Sequence, residues 1–213
     1  MPEGIYKIAE TFHSSQSEGS QAGQAAFFIR FHGCNLTCDF GNGFKCDDLI
    51  HSKPDYDSLT LFNLDILARK IKDTKNIIVT GGEATLDKNL PDLITGLQGL
   101  GYHVAVETNG QFIERAIDAD LITYSPKEKG RWIPYTEYIT MEAGKMPNIE
   151  LKLLGGVNNP VNKYWEDYPL KYLQAINHQD SLSSVNTRWV ADFVRENPDW
   201  YQSFQIHKFT GVE

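Results

Sequence analysis

The sequence predicts an α/β fold with a mostly parallel sheet. Short apolar segments that are typical of buried strands alternate along the chain with segments that have the hydrophobic spacing of helices, and this alternation indicates parallel βαβ units. With 213 residues, of which 41% are hydrophobic, the chain is long enough to bury a full core without disulfides. We therefore predict a single domain over residues 1–213.

The first predicted strand spans residues 25–31 and follows a polar segment, residues 8–23, that predicts a loop. Later strands are predicted over residues 76–79, 102–106, 121–124, 149–154, 171–176 and 203–206. Helices are predicted over residues 57–73, 87–100, 111–117 and 185–196. Residues 128–148 have no clear period and are predicted to be irregular.

Polar or glycine-rich segments directly follow four of the predicted strands. They are the cysteine-containing loop at residues 33–48, the tetrapeptide Thr80-Gly81-Gly82-Glu83, residues 107–110 and residues 125–127. Because the carboxyl ends of parallel strands lie at the same edge of a sheet, we expect these segments to form the rim of one site.

The loop at residues 33–48 contains all three cysteines of the chain: Cys34, Cys38 and Cys46. Three thiols in one polar loop are typical of ligands to a metal or an iron–sulfur cluster, and the odd number argues against a disulfide framework. Zinc held by the three thiols and either His32 or His51 is an alternative, although the gap from Cys38 to Cys46 is wider than in a usual zinc knuckle.

Three turn-forming residues, Gly41-Asn42-Gly43, lie between the second and the third cysteine. Glycine and asparagine accept the positive φ angles of tight turns. We expect this turn to fold the extra residues back, so that Cys46 lies near the other two thiols.

Arg30 interrupts an otherwise apolar strand near its end. Burying an unpaired guanidinium is costly, so this side chain is expected to face a carboxylate or another anion.

The net charge of −8 and the absence of a long basic run argue against nucleic acid as the main partner. No stretch approaches 18 apolar residues, and the first residues do not resemble a signal peptide. The expected location is therefore the cytoplasm, a reducing compartment in which thiolates and a cluster survive.

The cysteine loop after the first strand and the Gly-Gly-Glu after the second resemble those of radical S-adenosylmethionine (SAM) enzymes. The resemblance extends to the 7-carboxy-7-deazaguanine synthase family over nearly the whole chain. It is carried by residues 10–19, 28–34, 80–83, 107–110, 125–127, 172–174 and 205–213.

This resemblance implies an incomplete, abbreviated (β/α) barrel that converts 6-carboxy-5,6,7,8-tetrahydropterin to 7-carboxy-7-deazaguanine with loss of ammonia. The product would feed 7-deazapurine biosynthesis, for queuosine in tRNA or for a modified DNA base. The implied cofactors are a [4Fe–4S] cluster, SAM and Mg²⁺, and SAM cleavage gives a 5′-deoxyadenosyl radical that abstracts hydrogen from the pterin. A homodimer and an electron donor such as flavodoxin or ferredoxin are also implied.

The resemblance assigns roles to individual residues. Cys34, Cys38 and Cys46 would hold the cluster, and Glu83 and Lys127 would be catalytic. The SAM-binding or cofactor-binding residues would be Lys45, Asp47, Gly82, Glu83, Ser125, Pro126, Lys127, Gln174, Ala175, Ile176 and Asn177. The substrate-binding residues would be Ser15, Gln16, Ser17, Arg30, Thr80 and Glu213, and Arg30 suits the substrate carboxylate by its charge and its bidentate geometry.

The chain departs from the family pattern at the cluster motif. It has Cys-x3-Cys-x7-Cys where the family has Cys-x3-Cys-x2-Cys, so five residues are inserted before Cys46. The family's threonine or serine ligand to Mg²⁺ is replaced by Asp48, a carboxylate that suits a hard cation. These differences leave open a radical SAM enzyme that acts on another small heterocycle. The alternative from another class is a zinc-stabilised binding protein without catalysis.

Overall fold

The computed structural model of the protein describes residues 5–41, 43, 44, 46, 60–62, 64–71, 73–127, 132–141, 148–161, 165, 167–178 and 181–211. In these residues, nine strands form one sheet. The strands are β1 (Tyr6–Ser15), β2 (Ala25–Phe31), β3 (Thr60–Phe62), β4 (Asn76–Gly81), β5 (His103–Thr108), β6 (Leu121–Tyr124), β7 (Ile149–Gly155), β8 (Lys171–Ala175) and β9 (Trp200–Ser203). The helices are α1 (Leu64–Lys70), α2 (Leu90–Gly99), α3 (Tyr135–Met141), α4 (Ser184–Glu196) and α5 (His207–Thr210).

The strand order is β3-β1-β2-β4-β5-β6-β7-β8-β9, and every neighbouring pair from β2 to β9 is parallel. Only β1 runs antiparallel, to both of its neighbours, among the strands described. Because β3 and β9 lie at opposite edges and do not pair, the sheet is open. The predicted α/β class with a mostly parallel, abbreviated barrel is confirmed.

One face of the sheet carries the main core, which the helices cover. In α2 the buried residues Leu90, Leu93, Ile94 and Leu97 repeat at helical spacing and form one apolar stripe. The helix α4 begins where the Ser183 side chain accepts a hydrogen bond from the backbone N–H of Asn186, as expected of an N-cap. Its bounds agree with the helix predicted over residues 185–196 to within one residue.

The opposite, inner face changes from apolar to polar along the strands. A small cluster there contains the buried residues Ala26, Phe28, Ile78, Ala105 and Leu121. Because alternate residues of a strand share a face, the next inward positions on β2, β4 and β5 are Arg30, Thr80 and Glu107, and all three line a cavity. The carboxyl ends of the strands therefore present polar groups above an apolar floor.

The predicted loop over residues 8–23 is wrong for its first half, because β1 extends to Ser15. This strand is stabilised by pairing with β2 and by burial of Tyr6 and Ile8. The rings of Phe12 and Phe28 also stack across the pair with centroids 4.9 Å apart. The polar composition of residues 8–15 did not reveal this strand, because its pairing depends on the neighbouring strand β2.

Other predicted bounds are also corrected. The helix predicted over residues 57–73 is α1, which begins at Leu64, and residues 60–62 pair with β1 as a strand. The last strand is Trp200–Ser203 and not residues 203–206, because Trp200 is buried against the core. The helix predicted over residues 111–117 is a short 3-10 turn, Ile113–Ala116.

The helix α3 lies in the segment 128–148, for which the sequence predicted no regular element. The single domain over residues 1–213 stays a prediction, because the structure describes only part of that range. Among the helices of the described ranges, none combines the length and the apolar character that a membrane span requires.

Two glycines allow the end of β4 to lie directly against the end of β2. Gly81 has a φ angle of +128°, and a Cβ placed on it would be 2.5 Å from the backbone nitrogen of Phe31. A Cβ on Gly82 would be 2.9 Å from the Cβ of Cys34. The backbone N–H of Glu83 then donates to the carbonyl oxygen of Gly33 at 2.9 Å, which joins this segment to the cysteine loop.

We expect Gly81→Ala to lower the free energy of unfolding by about 2 to 4 kcal/mol, because the added Cβ meets backbone and the φ angle disfavours any side chain. The matched control is Gly99→Ala at the end of α2, where a Cβ would meet nothing within 4 Å. Urea unfolding of the metal-free protein measures both. Equal stabilities of the two variants would contradict the close approach of β4 and β2.

Candidate active site

A cavity of about 660 Å³ lies at the carboxyl ends of the parallel strands. It gathers most of the residues that the sequence predicted for the site: Ser15, Gln16, Ser17, Arg30, Cys34, Cys38, Cys46, Thr80, Gly82, Glu83, Ser125, Lys127, Gln174, Ala175, Ile176 and Asn177. Pro126 is buried and is not part of the lining. Lys45, Asp47, Asp48 and Glu213 lie outside the described residues. The rim expected from four strand ends is therefore one continuous site.

The turn between Cys38 and Cys46 folds the inserted residues back on themselves. The backbone N–H of Phe40 donates to the carbonyl oxygen of Phe44 at 2.9 Å, and that of Cys46 donates to the carbonyl oxygen of Cys38 at 3.3 Å. Gly41 has a φ angle of +75°, as the turn requires. This geometry confirms that the long gap brings the third cysteine back beside the second.

Asn109 holds the other side of the cysteine loop. Its side-chain nitrogen lies 3.9 Å from the sulfur of Cys34 and donates to the side-chain oxygen of Asn35 at 2.9 Å. The backbone N–H of Leu36 also points at the Cys34 sulfur, at 3.4 Å. Hydrogen bonds of this kind favour the thiolate form, which is the form that binds iron.

The three thiols lie together at one cavity. All three cysteines are half-buried and line it. Three cysteine thiolates are the usual protein ligands of a cluster that keeps one iron open to another molecule. The chemistry of this donor set therefore fits a cluster.

The carboxylate of Glu83 is a buried hub between strand ends, with the residue only 2% exposed. It accepts hydrogen bonds from the hydroxyl of Thr108 and the backbone N–H of Asn109, both at 2.6 Å. It also accepts from the backbone N–H of Thr85 at 3.0 Å and from the Thr85 hydroxyl. These bonds join the end of β4 to the end of β5, so Glu83 positions the rim.

Lys127 faces the cavity from the segment after β6. Its ammonium group donates to the carbonyl oxygen of Ser125 at 3.0 Å and to the Ser125 hydroxyl at 2.6 Å. Burial lowers the pKa of Lys127, and the positive charge of Lys152 lowers it further, whereas negative charge at Cys38 and Cys46 opposes the shift. This cation therefore lies in the electrostatic field of the cysteine loop.

Arg30 already has a carboxylate partner, as the sequence led us to expect. Its Nε donates to Oε1 of Glu10 at 2.7 Å, and its guanidinium lies 5.8 Å from the centroid of the Phe12 ring. Both partners come from β1, the strand that the sequence analysis did not predict. The pair orients the guanidinium at the edge of the cavity.

Glu107 is a cavity residue that the sequence analysis placed in the rim without assigning it a role. Its two carboxylate oxygens accept hydrogen bonds from Thr80 Oγ1 at 2.9 Å and from Gln16 Nε2 at 3.0 Å. The oxygen of the Gln16 side chain accepts in turn from the backbone N–H of Ser17 at 2.7 Å. Gln16 therefore fixes the loop after β1 against β5.

A buried ion pair between Lys152 and Glu18 lies on the inner face of the cavity. Burial alone raises the pKa of Glu18, but the charge and the hydrogen bond of Lys152 prevail and lower it to about 2. Burial likewise opposes the charged form of Lys152, but Glu107, Glu18 and Glu150 raise its pKa above the ordinary value. Gln174 donates to the second Glu18 oxygen at 3.0 Å.

The segment after β9 completes the cavity. His207 Nδ1 lies 2.8 Å from the hydroxyl of Ser17, and Asn177 donates to the side-chain oxygen of Gln205 at 3.0 Å. No role was predicted from the sequence for His207, Gln205 or Glu18. Their polar character in segments 10–19 and 205–213 was the available signal, since both segments carry the family resemblance.

Comparison with known proteins agrees with this geometry. A 7-carboxy-7-deazaguanine synthase of Haemophilus influenzae is 28% identical over 226 residues, which cover 99% of this chain and 96% of the relative. A 7-carboxy-7-deazaguanine synthase of Neisseria meningitidis is 29% identical over 219 residues, with 98% and 94% covered. The chain is therefore similar over nearly its whole length to 7-carboxy-7-deazaguanine synthases. A shorter match to the synthase of Rhodopirellula baltica is 39% identical over 126 residues, or 59% of this chain and 46% of that one.

A solved structure has the same fold. QueE from Escherichia coli superposes with a TM-score of 0.64 at 21% sequence identity, and 94% of each chain is covered. No profile of a known protein family matches the chain. The superposition establishes the fold, and the similarity to the synthases rests on the full-length relatives.

We expect Glu83→Ala to abolish SAM cleavage and to lower the free energy of unfolding by about 3 kcal/mol, because buried donors lose their acceptor. Thr108→Val removes one of those donors and leaves the carboxylate in place, so it is expected to have a smaller effect on both quantities. SAM cleavage assays and urea unfolding measure the two effects. A folded Glu83→Ala protein that cleaves SAM normally would contradict the positioning role.

The Lys152–Glu18 pair predicts an acid-dependent stability. Because folding lowers the pKa of Glu18 from 4.5 to about 2, its contribution is present above pH 4.5 and is lost as the pH falls towards 2. Urea unfolding at a series of pH values should therefore give a steeper loss of stability for the wild type than for Glu18→Gln in that window. Parallel curves for the two proteins would contradict the ion pair.

Proposed function

We propose that the protein converts 6-carboxy-5,6,7,8-tetrahydropterin to 7-carboxy-7-deazaguanine with loss of ammonia, as a radical SAM lyase. The observation that carries this proposal is a single cavity that contains three thiols together with the cation Arg30 and the carboxylate Glu107. The thiols supply ligands for a cluster, and the charged groups match a carboxylated pterin. The full-length similarity to 7-carboxy-7-deazaguanine synthases supports this activity.

Cys34, Cys38 and Cys46 are proposed to hold a [4Fe–4S] cluster beside the SAM-binding residues of the rim. The three cysteines would hold the cluster, which would supply the electron for reductive cleavage of SAM when both groups are bound. Gly82 leaves space next to Cys34, because a side chain there would collide with the cysteine loop. Lys127 lines the same cavity, and its ammonium group would suit the carboxylate of SAM.

Recognition of the pterin is proposed to use the groups at the ends of β2, β4 and β5. Arg30 would bind the substrate carboxylate, since a guanidinium matches that anion in charge and geometry. Its neighbour across the parallel pair, Thr80, donates to Glu107, whose carboxylate accepts N–H groups. The pyrimidine ring of a pterin presents N–H donors that suit such an acceptor.

Other residues of the cavity are proposed to support this recognition by shaping the site, without taking part in the reaction. Phe28 lines the cavity and provides an apolar surface for a flat heterocycle. Glu18, Lys152 and Gln174 form a hydrogen-bonded network that fixes a polar part of the cavity lining. A rigid, preorganised site holds the substrate in one orientation, which limits competing reactions of a radical.

The proposal extends to features outside the described residues. Asp48 is proposed as a ligand of Mg²⁺, and Glu213 as a further substrate contact. A homodimer, a flavodoxin or ferredoxin as electron donor, and a cytoplasmic location follow from the family resemblance and from the reducing conditions that a cluster needs.

The test is an anaerobic assay of reconstituted protein with SAM, Mg²⁺, a reductant and 6-carboxytetrahydropterin, with mass spectrometry of the products. We expect 7-carboxy-7-deazaguanine, and none from Cys38→Ser. Asp48→Ala should weaken the response of the rate to Mg²⁺ if a carboxylate is the ligand at that position.

The other outcomes separate the alternatives. A brown protein that cleaves SAM without forming the product would retain the chemistry and reject the substrate. A colourless protein with tightly bound zinc would reject the proposed function altogether. Unchanged Mg²⁺ dependence in Asp48→Ala would reject the proposed metal ligand alone.

A further inference from the structure

Phe44, in the inserted turn between Cys38 and Cys46, contacts a segment that is distant in the sequence. The ring of Phe44 stacks on the ring of His178, with centroids 4.1 Å apart and an interplanar angle of 20°. His178 belongs to the segment that follows β8, whereas Phe44 belongs to the loop that follows β2. The two rings therefore join segments that β4 to β7 separate in the sheet.

The segment that carries His178 is itself held from the other side. The ammonium group of Lys208 on α5 donates to the carbonyl oxygen of His178 at 2.7 Å. Lys208 also lines the cavity, so this bond lies at the rim. Phe44 thus packs on a segment that is held at one end by β8 and by a hydrogen bond from α5.

The two ends of the cysteine loop are held differently. At Cys34 the loop is fixed by Asn109 and by the close approach of Gly82. At the other end, the backbone N–H of Cys46 donates to the carbonyl oxygen of Cys38 and closes the turn. Phe44, two residues before Cys46, adds the contact with His178.

We propose that the Phe44–His178 stack is a positioning device that holds Cys46 at the cavity for cluster binding. Five extra residues would otherwise increase the number of conformations open to the loop, and anchoring an aromatic residue removes most of them. The inference rests on the proposed function, because it assumes that the three thiols hold a cluster. It assigns a role to the residues by which this chain departs from the family's spacing.

The experiment compares Phe44→Ala and His178→Ala with wild type after reconstitution. The measurements are iron and sulfide per chain, the rate of iron loss to a chelator, and the circular dichroism of the metal-free proteins. We expect about three- to tenfold faster iron loss in both variants, because one aromatic contact no longer restrains the loop. The metal-free spectra should not change, since the stack lies outside the core.

Three further variants sharpen the comparison. Phe44→Tyr keeps the ring and should restore slow iron loss. Phe209→Ala removes an exposed aromatic side chain of α5 that contacts Phe204 and not His178, so it should behave as wild type. A double variant of Phe44 and His178 should be no worse than either single one, because both remove the same contact.

The outcomes distinguish this inference from the proposed function. If wild type binds no iron–sulfur cluster, the proposed function fails first. If wild type binds a cluster and Phe44→Ala retains iron as long as wild type does, the positioning role is wrong. Equal rates of iron loss in Phe44→Ala and Phe209→Ala would also overturn the positioning role. Removal of an aromatic ring that does not contact His178 would then have the same effect.

Discussion

The close approach of β2 and β4 at their carboxyl ends is the constraint on which the site depends. It is possible because Gly81 and Gly82 have no side chain that would collide with the end of β2 or with the cysteine loop. It places that loop directly beside the rim segment that contains Glu83. The Glu83 carboxylate then fixes the next rim segment through Asn109, whose side chain returns to Cys34. These hydrogen bonds therefore connect three strand ends, and they fix the position of the Cys34 thiol.

The rim was the part of the site that could be predicted from the sequence. Alternating strands and helices imply a parallel sheet, and a parallel sheet brings its carboxyl ends together, so segments far apart in sequence were expected at one edge. The turn before Cys46 was also predictable, because glycine marks tight turns by its local conformation alone. Both inferences use rules that need no knowledge of distant partners.

The inner wall of the cavity was not predictable in the same way. The strand β1 is polar in sequence, and it forms because β2 lies beside it and Phe12 finds Phe28. Similarly, Glu18 and Lys152 can be buried as charged groups because they pair with each other, across a sequence separation of 134 residues. Burial of such a pair depends on tertiary packing, on which the composition of a single segment carries no information.

The contact between Ser17 and His207 joins residues separated by 190 positions in the chain. The backbone of the same two segments is bonded as well, from the N–H of Ile206 to the carbonyl oxygen of Ser17. Closing a loop of that length costs conformational entropy, which is lost before the contact is gained. During synthesis on the ribosome, the sheet can therefore assemble strand by strand while the cavity still lacks one wall, and the pocket is complete only after β9 has been added.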